Sequence, residues 1–165
     1  MRTLPDPGFA GDDGSVSPQL REALSRYDAA PATQYDETLT VLQDQRLLVP
    51  VVAVLGETGQ DERGLTHDKT SDMAAVLMRG RDGRTALLAF TGTDSLRRWD
   101  PQARPVPVTA ADAATAAVQD GADALLVDVA GPVLFAVETD DLRELAQGNR
   151  LVRVSDRYGW VTPAR

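Results

Sequence analysis

The chain has 165 residues, 42% of them hydrophobic and 25% charged, which is enough apolar material for one folded domain with a real core. The absence of cysteine excludes disulfides, zinc fingers, iron–sulfur clusters and thiol nucleophiles. A formal charge of −8 argues against electrostatic capture of nucleic acid or an anionic lipid surface, and no run nears the roughly 20 apolar residues of a membrane span.

Residues 1–16 are rich in Pro, Gly and Asp and read as a mobile tail, with no apolar stretch of the signal-peptide kind. Together with the missing cysteines, this is compatible with a cytoplasmic setting. Ser17-Pro18 then supplies an N-cap and a proline at the first helical position, and Leu20, Leu24 and Tyr27 follow at helical spacing. Thr33 is placed to cap a second helix with Tyr35, Leu39 and Leu42 along one stripe. The unbroken run Leu47 to Leu55 predicts a strand covered on both faces, with Pro50 at its start or at a bulge because proline donates no ladder hydrogen bond.

Gly56 to Ser71 is polar and acidic and reads as a long loop. Met73–Met78 and Thr85–Thr91 predict two strands joined as an antiparallel hairpin by the Asp82-Gly83 turn signal. The chain turns at Gly92, and Thr93 is set to cap a helix whose inward face carries Leu96 and Trp99. A proline-rich extended return, Pro101 to Val108, precedes an Ala-rich helix opened by Thr109 and Asp112 and ended by Gly121. Ala124–Val129 and Val133–Val137 are apolar strands around Ala130-Gly131-Pro132, and Thr139 is expected to cap a last helix. Leu151–Val154 reads as an edge strand, with a loose end beyond Trp160. The sum is one α+β domain over residues 17–154, a mixed β-sheet with two N-terminal helices and further packed helices, followed by a C-terminal extension over 155–165.

These elements carry a resemblance. A helix precedes Leu48-Val49-Pro50, Asp68-Lys69-Thr70-Ser71-Asp72-Met73 leads into the second strand, and Asp82-Gly83-Arg84 precedes the third. Ala89-Phe90-Thr91 is followed by a helix ending in Trp99. Arg104-Pro105-Val106-Pro107-Val108 and Val127-Asp128-Val129-Ala130-Gly131-Pro132 complete the order. The ordered set resembles the N-terminal domain of the SseB family over about residues 33–148. The resemblance implies the fold above and an intracellular setting, and it brings no catalytic residue with it. The resemblance also implies that full-length members often carry a second domain, and 165 residues are too few to hold one of similar size.

The catalytic constellations are thin. His67, the lone histidine, lies with Asp61, Glu62 and Asp68 in an acidic loop that lacks the alternating acids, central Gly and closing Glu of a calcium loop. A Ser-His-Asp triad would have to use this histidine, and no Gly-x-Ser-x-Gly elbow presents a nucleophile. Gly56-Glu57-Thr58-Gly59 lacks the lysine and further glycine of a phosphate loop. Asp123 and Asp128 flank a strand, but five positions apart they face opposite sides of it, which weakens an acid–base pairing. Asp68, Lys69 and Asp72 read first as an ion-pair brace and second as a binding set.

The expectation is therefore a non-enzymatic module that binds or regulates a protein partner, with no cofactor, no nucleic acid and no membrane. Its surface is expected around Asp68, Lys69, Asp72, Thr91, Trp99 and Arg104. The alternative is a small-molecule binder or cation-assisted enzyme using Asp68 and Asp72. The partner's identity and the oligomeric state stay open at this level.

Overall fold

Ser17 opens the first helix as its chemistry requires. In the computed structural model, which describes residues 9–53 and 73–164, its hydroxyl accepts from the Leu20 amide at 3.2 Å, and Pro18 occupies the first helical position. Helix α1 (Pro18–Ala29) buries Leu20, Ala23 and Leu24, and α2 (Pro31–Leu42) follows at once, burying Thr38, Leu39 and Leu42. Thr33 does not cap α2; Pro31 takes the first position and Thr33 lies inside, its hydroxyl donating to Ala30 O at 3.4 Å.

Strand β1 (Arg46–Ala53) is the hub of the architecture. It pairs antiparallel with β2 (Met73–Ala75) on one side and with β5 (Arg104–Thr109) on the other. A second sheet runs in the order β3 (Leu77–Arg79), β4 (Thr85–Ala89), β6 (Ala124–Val127) and β7 (Phe135–Val137), with β4 and β6 parallel. A bridge joins the sheets: Leu48 and Phe90 exchange amide–carbonyl bonds at 2.8 Å in both directions. Helix α3 (Thr93–Trp99) connects β4 to β5, and α4 (Ala110–Gln119) connects β5 to β6. Helix α5 (Thr139–Ala146) leads to a hairpin of β8 (Arg150–Val154) and β9 (Arg157–Val161).

Pro50 explains the break in the second predicted strand. It sits within β1, not at its start or at a bulge, opposite Pro105 on β5. Two prolines cannot exchange N–H bonds, so this pair, like Leu48 opposite Pro107, is a non-hydrogen-bonded pair of the ladder. Leu48 accordingly spends its amide and carbonyl on Phe90. Continuing the β1–β2 register would set Val76 against Pro50, which has no amide to give its carbonyl. Val76 O instead accepts from Leu88 N on β4 at 3.1 Å, and the strand leaves one sheet for the other. The expected 73–78 strand is thus two strands, of which only β3 forms the hairpin with β4. Its turn has Gly83 at φ +83°, a left-handed conformation natural to glycine, with the Gly83 amide on Gly80 O at 3.1 Å and the Arg84 amide on Asp82 Oδ1 at 3.0 Å.

Side-chain alternation divides the core. Leu47, Val49, Leu87, Ala89, Leu125 and Val127 face α1, α2, α4 and α5 in the larger cluster. Leu48, Leu88 and Phe90 face the other way and pack with Leu96 of α3. Helix α4 offers Ala110, Ala113, Ala114 and Ala117, all buried, so its backbone lies close to the sheet. Thr109 caps it, accepting from Asp112 N at 3.0 Å.

Both chain ends depart from the sequence reading. Of the residues read as a mobile tail, 9–16 are docked: Gly14 O accepts from Thr93 N at 2.7 Å and Val16 packs against the larger core. Beyond residue 154, in the stretch read as an extension, β9 pairs with β8, and Trp160 Nε1 donates to Asp141 Oδ1 of α5 at 3.0 Å. The Tyr158 hydroxyl donates to Glu37 of α2. Thr93 and Thr139 begin their helices instead of capping them; the Thr139 hydroxyl donates to Asp123 O at 2.7 Å.

Candidate functional site

Two aspartates bracket β6 and tie it to the two ends of β4. Asp123 Oδ2 accepts from Thr85 N at 3.0 Å, while its own amide donates to Thr85 O at 2.8 Å. At the other end Asp128 Oδ1 accepts from Thr91 N at 2.9 Å and Oδ2 from the Thr91 hydroxyl at 2.7 Å. The two acids stand apart at opposite ends of β6, each with work of its own.

Asp128 is 1% exposed and holds φ at +57°, a backbone region that Asp tolerates better than most residues. Burial pushes its carboxyl above the ordinary value, and the hydrogen bonds from Thr91 oppose that push. Ser95, also buried, donates to Gly92 O at 3.0 Å.

Asp128, Thr91 and Ser95 contribute to the lining of a cleft of about 390 Å³, within the range of ligand-sized cavities. Gly14, Ser15 and Val16 form one wall, Leu24 and Ser25 of α1 another, and Pro132 and Val133 a third. Arg21 and Arg98 bring positive charge to this cleft, Asp28 and Asp94 negative charge. Among the described residues no buried side-chain nitrogen or oxygen lacks a hydrogen-bond partner. Among them, too, no group of three or more His, Cys, Asp or Glu is placed to hold a metal ion.

The structure brings one of the residues expected from the sequence into this cleft. Thr91 is there, buried and bonded to Asp128. Trp99, at the end of α3, is half-buried and packs on Phe90 with ring centroids 5.6 Å apart. Arg104 is exposed at the start of β5, opposite Val51. Neither of these two lines the cleft. Asp68, Lys69, Asp72 and His67 lie outside the described residues. Arg21, Ser25 and Ser95 carry no signal in the sequence, because only the fold brings residues of α1 and α3 to one cleft.

Trp99 and Phe90 form an anchor for α3 that a simple measurement checks. Trp99→Ala should lower stability by about 2–3 kcal/mol in denaturant unfolding, below the 3–5 of a fully buried Trp because part of the side chain already meets water. A midpoint unchanged within error would show that the indole contributes nothing to the fold.

Among the described residues no helix is long and apolar enough to cross a membrane. No curated protein and no solved structure matches the chain. One family does: the SseB protein N-terminal domain matches residues 20–144, a stretch that runs from α1 through the Thr91–Asp128 pair to α5. With most of its length matched, in the order of strands and turns described above, the chain belongs to the SseB family.

Proposed function

We propose that this SseB-family chain is a binding module, and that it receives an exposed segment of a protein partner in the cleft between α1, the start of α3 and the 132–133 turn. The observation that carries this reading is the state of Asp128. Its two carboxylate oxygens are both engaged by Thr91, inside a 1% exposed residue. A general base or nucleophile must present a free oxygen to the reacting atom, and both oxygens of Asp128 already accept hydrogen bonds from Thr91. The surrounding residues differ: Arg21, Arg98, Asp28 and Asp94 supply both signs of charge beside apolar Val16 and Val133. That mixture suits a polypeptide, with its amides, side-chain charges and an occasional apolar anchor. Of the surface expected from the sequence, the reading keeps the Thr91 turn and does not require Trp99 or Arg104.

A photo-crosslinking residue at Ser25 tests this, with Val118 on the exposed side of α4 as the control position. Discrete adducts to a partner protein are expected at Ser25, absent at Val118, and lost when Val133→Arg fills the cleft. Adducts equal at both positions, or unaffected by Val133→Arg, would remove the cleft from consideration.

A further inference from the structure

Residues 9–16 run as a strap along the Thr91–Gly92 turn, fastened in two ways. The first fastening is backbone on backbone. Thr93 N donates to Gly14 O, and a Cβ on Gly92 would stand 3.0 Å from both Gly14 O and Val16 N. One on Gly14 would collide with the Thr93 hydroxyl. Gly14 also holds φ at +82°, a conformation natural to glycine, and a side chain at Gly92 would press the strap away from the turn by a few tenths of an ångström.

The second fastening is Arg46. Its Nε lies 2.7 Å from Asp12 Oδ2 and its Nη2 3.0 Å from Asp12 Oδ1, a two-pronged grip. Nη2 also donates to Ser15 O at 2.8 Å and Nη1 to Thr91 O at 2.9 Å. The guanidinium thus joins the strap to the turn at the end of β4, with only 11% of the Arg46 side chain exposed.

The placement of this clamp is what matters. Gly14, Ser15 and Val16 line the cleft, whereas Arg46 and Asp12 do not. Those two border a second hollow of about 360 Å³ together with Phe9 and Leu20, and Ser15 and Thr91 line both cavities. The strap divides the two spaces, and the clamp reaches the cleft through it and through the Thr91 carbonyl. Among the described residues the strap has little else to hold it: Phe9 and Val16 are its larger apolar residues, and both are only half-buried. Segments held this way open locally at a lower free energy than the core.

Resting on the reading of the cleft as the binding site, we propose that Arg46 is a positioning residue for it. By gripping Asp12 and Ser15 it fixes the Gly14–Val16 wall, so that occupancy of the cleft and docking of residues 9–16 are coupled. Linkage makes the coupling reciprocal: a ligand packed on Val16 tightens the strap, and a loosened strap weakens the ligand.

Two measurements on the full chain test this without a partner. The first is amide hydrogen exchange at Thr93, compared with Leu87 and Leu88 in β4, for the wild type, Asp12→Asn, Arg46→Lys and Arg46→Gln. Thr93 exchange should rise about tenfold in Arg46→Gln while Leu87 and Leu88 hold near their wild-type rates. Arg46→Lys should resemble Arg46→Gln, because one ammonium cannot replace the planar fork. Unchanged exchange at Thr93, or equal acceleration in β4, would overturn the clamp. The second uses the absence of native cysteine: Ser25→Cys labelled with bimane places one fluorophore in the cleft. Adding Arg46→Gln should shift its emission to the red as the wall loosens, and an unmoved emission would overturn the coupling. Loss of the Ser25 crosslinks in the wild type would instead count against the binding reading, with Arg46 untouched.

Discussion

Asp128→Ala should cost the fold at least about 3 kcal/mol. The substitution leaves the Thr91 amide and hydroxyl without acceptors in a buried place, at about 1–3 kcal/mol for each unsatisfied group, and adds about 1–2 kcal/mol for alanine in a left-handed conformation. Asp128→Asn should cost about 1 kcal/mol, because Asn tolerates that backbone and its amide can accept from Thr91 N while donating to the Thr91 hydroxyl. The sign of the pH dependence follows from the raised carboxyl of Asp128. An acid whose folded pKa exceeds its unfolded value of about 3.9 contributes stability that is full below that value and is lost as pH rises through the folded pKa. The wild type's advantage over Asp128→Asn should therefore be largest in acid and shrink across that window. Denaturant unfolding of the two proteins at a series of pH values reads the difference directly. An advantage that grows with pH would show the carboxylate to be stabilised, not strained, by its surroundings.

Phe135→Ala is expected to be as costly, about 3–5 kcal/mol, and for a different reason. Phe135 is fully buried on β7, with Tyr27 edge-on at 4.9 Å and Tyr35 stacked at 5.3 Å. Its ring is therefore a contact that both N-terminal helices share with the second sheet. The Tyr35 hydroxyl continues the network, donating to Asp141 Oδ2 at 2.9 Å and accepting from Glu138 N at 3.3 Å. The loss should appear in urea unfolding as a shift of midpoint together with faster exchange of α1 and α2 amides. Phe135→Leu should recover more than half of it, since most of the apolar volume returns without the ring contacts. A shift below about 1 kcal/mol for Phe135→Ala would mean the helices are held chiefly by the aliphatic core.

What could be read from the sequence was what a few neighbouring residues decide. Ser17 and Thr109 cap helices because a short side chain reaches an amide three residues on, a rule that needs no tertiary structure. Gly83 serves its turn for the same local reason. The α+β class and the family followed from such pieces in order. The site did not. The bond from Thr91 to Asp128 spans 37 residues and exists only because β4 and β6 lie parallel, a pairing that no spacing announces. The strap was hidden because composition weighs apolar content, whereas Asp12 and Gly14 are held by an ion pair and a backbone bond. The division of the second strand depended on Pro50, a residue in another strand. At the C-terminus a signal was present: Tyr158 and Trp160, two apart and separated by Gly159, share the half-buried side of β9.

The facing prolines of β1 and β5 have a consequence for how this molecule meets its own copies. Among the described residues β5 is the outermost strand of its sheet. The residues whose backbone groups point outward are Pro105, Pro107 and Thr109, and only Thr109 has an amide to offer. An incoming strand would find carbonyls along this border and almost no donors, so a continuous ladder cannot grow there. Two such borders brought together would set acceptor against acceptor. At this margin the fold resists fibrous self-association through the chemistry of its main chain, with no need of a charged or bulky side chain to keep neighbours away.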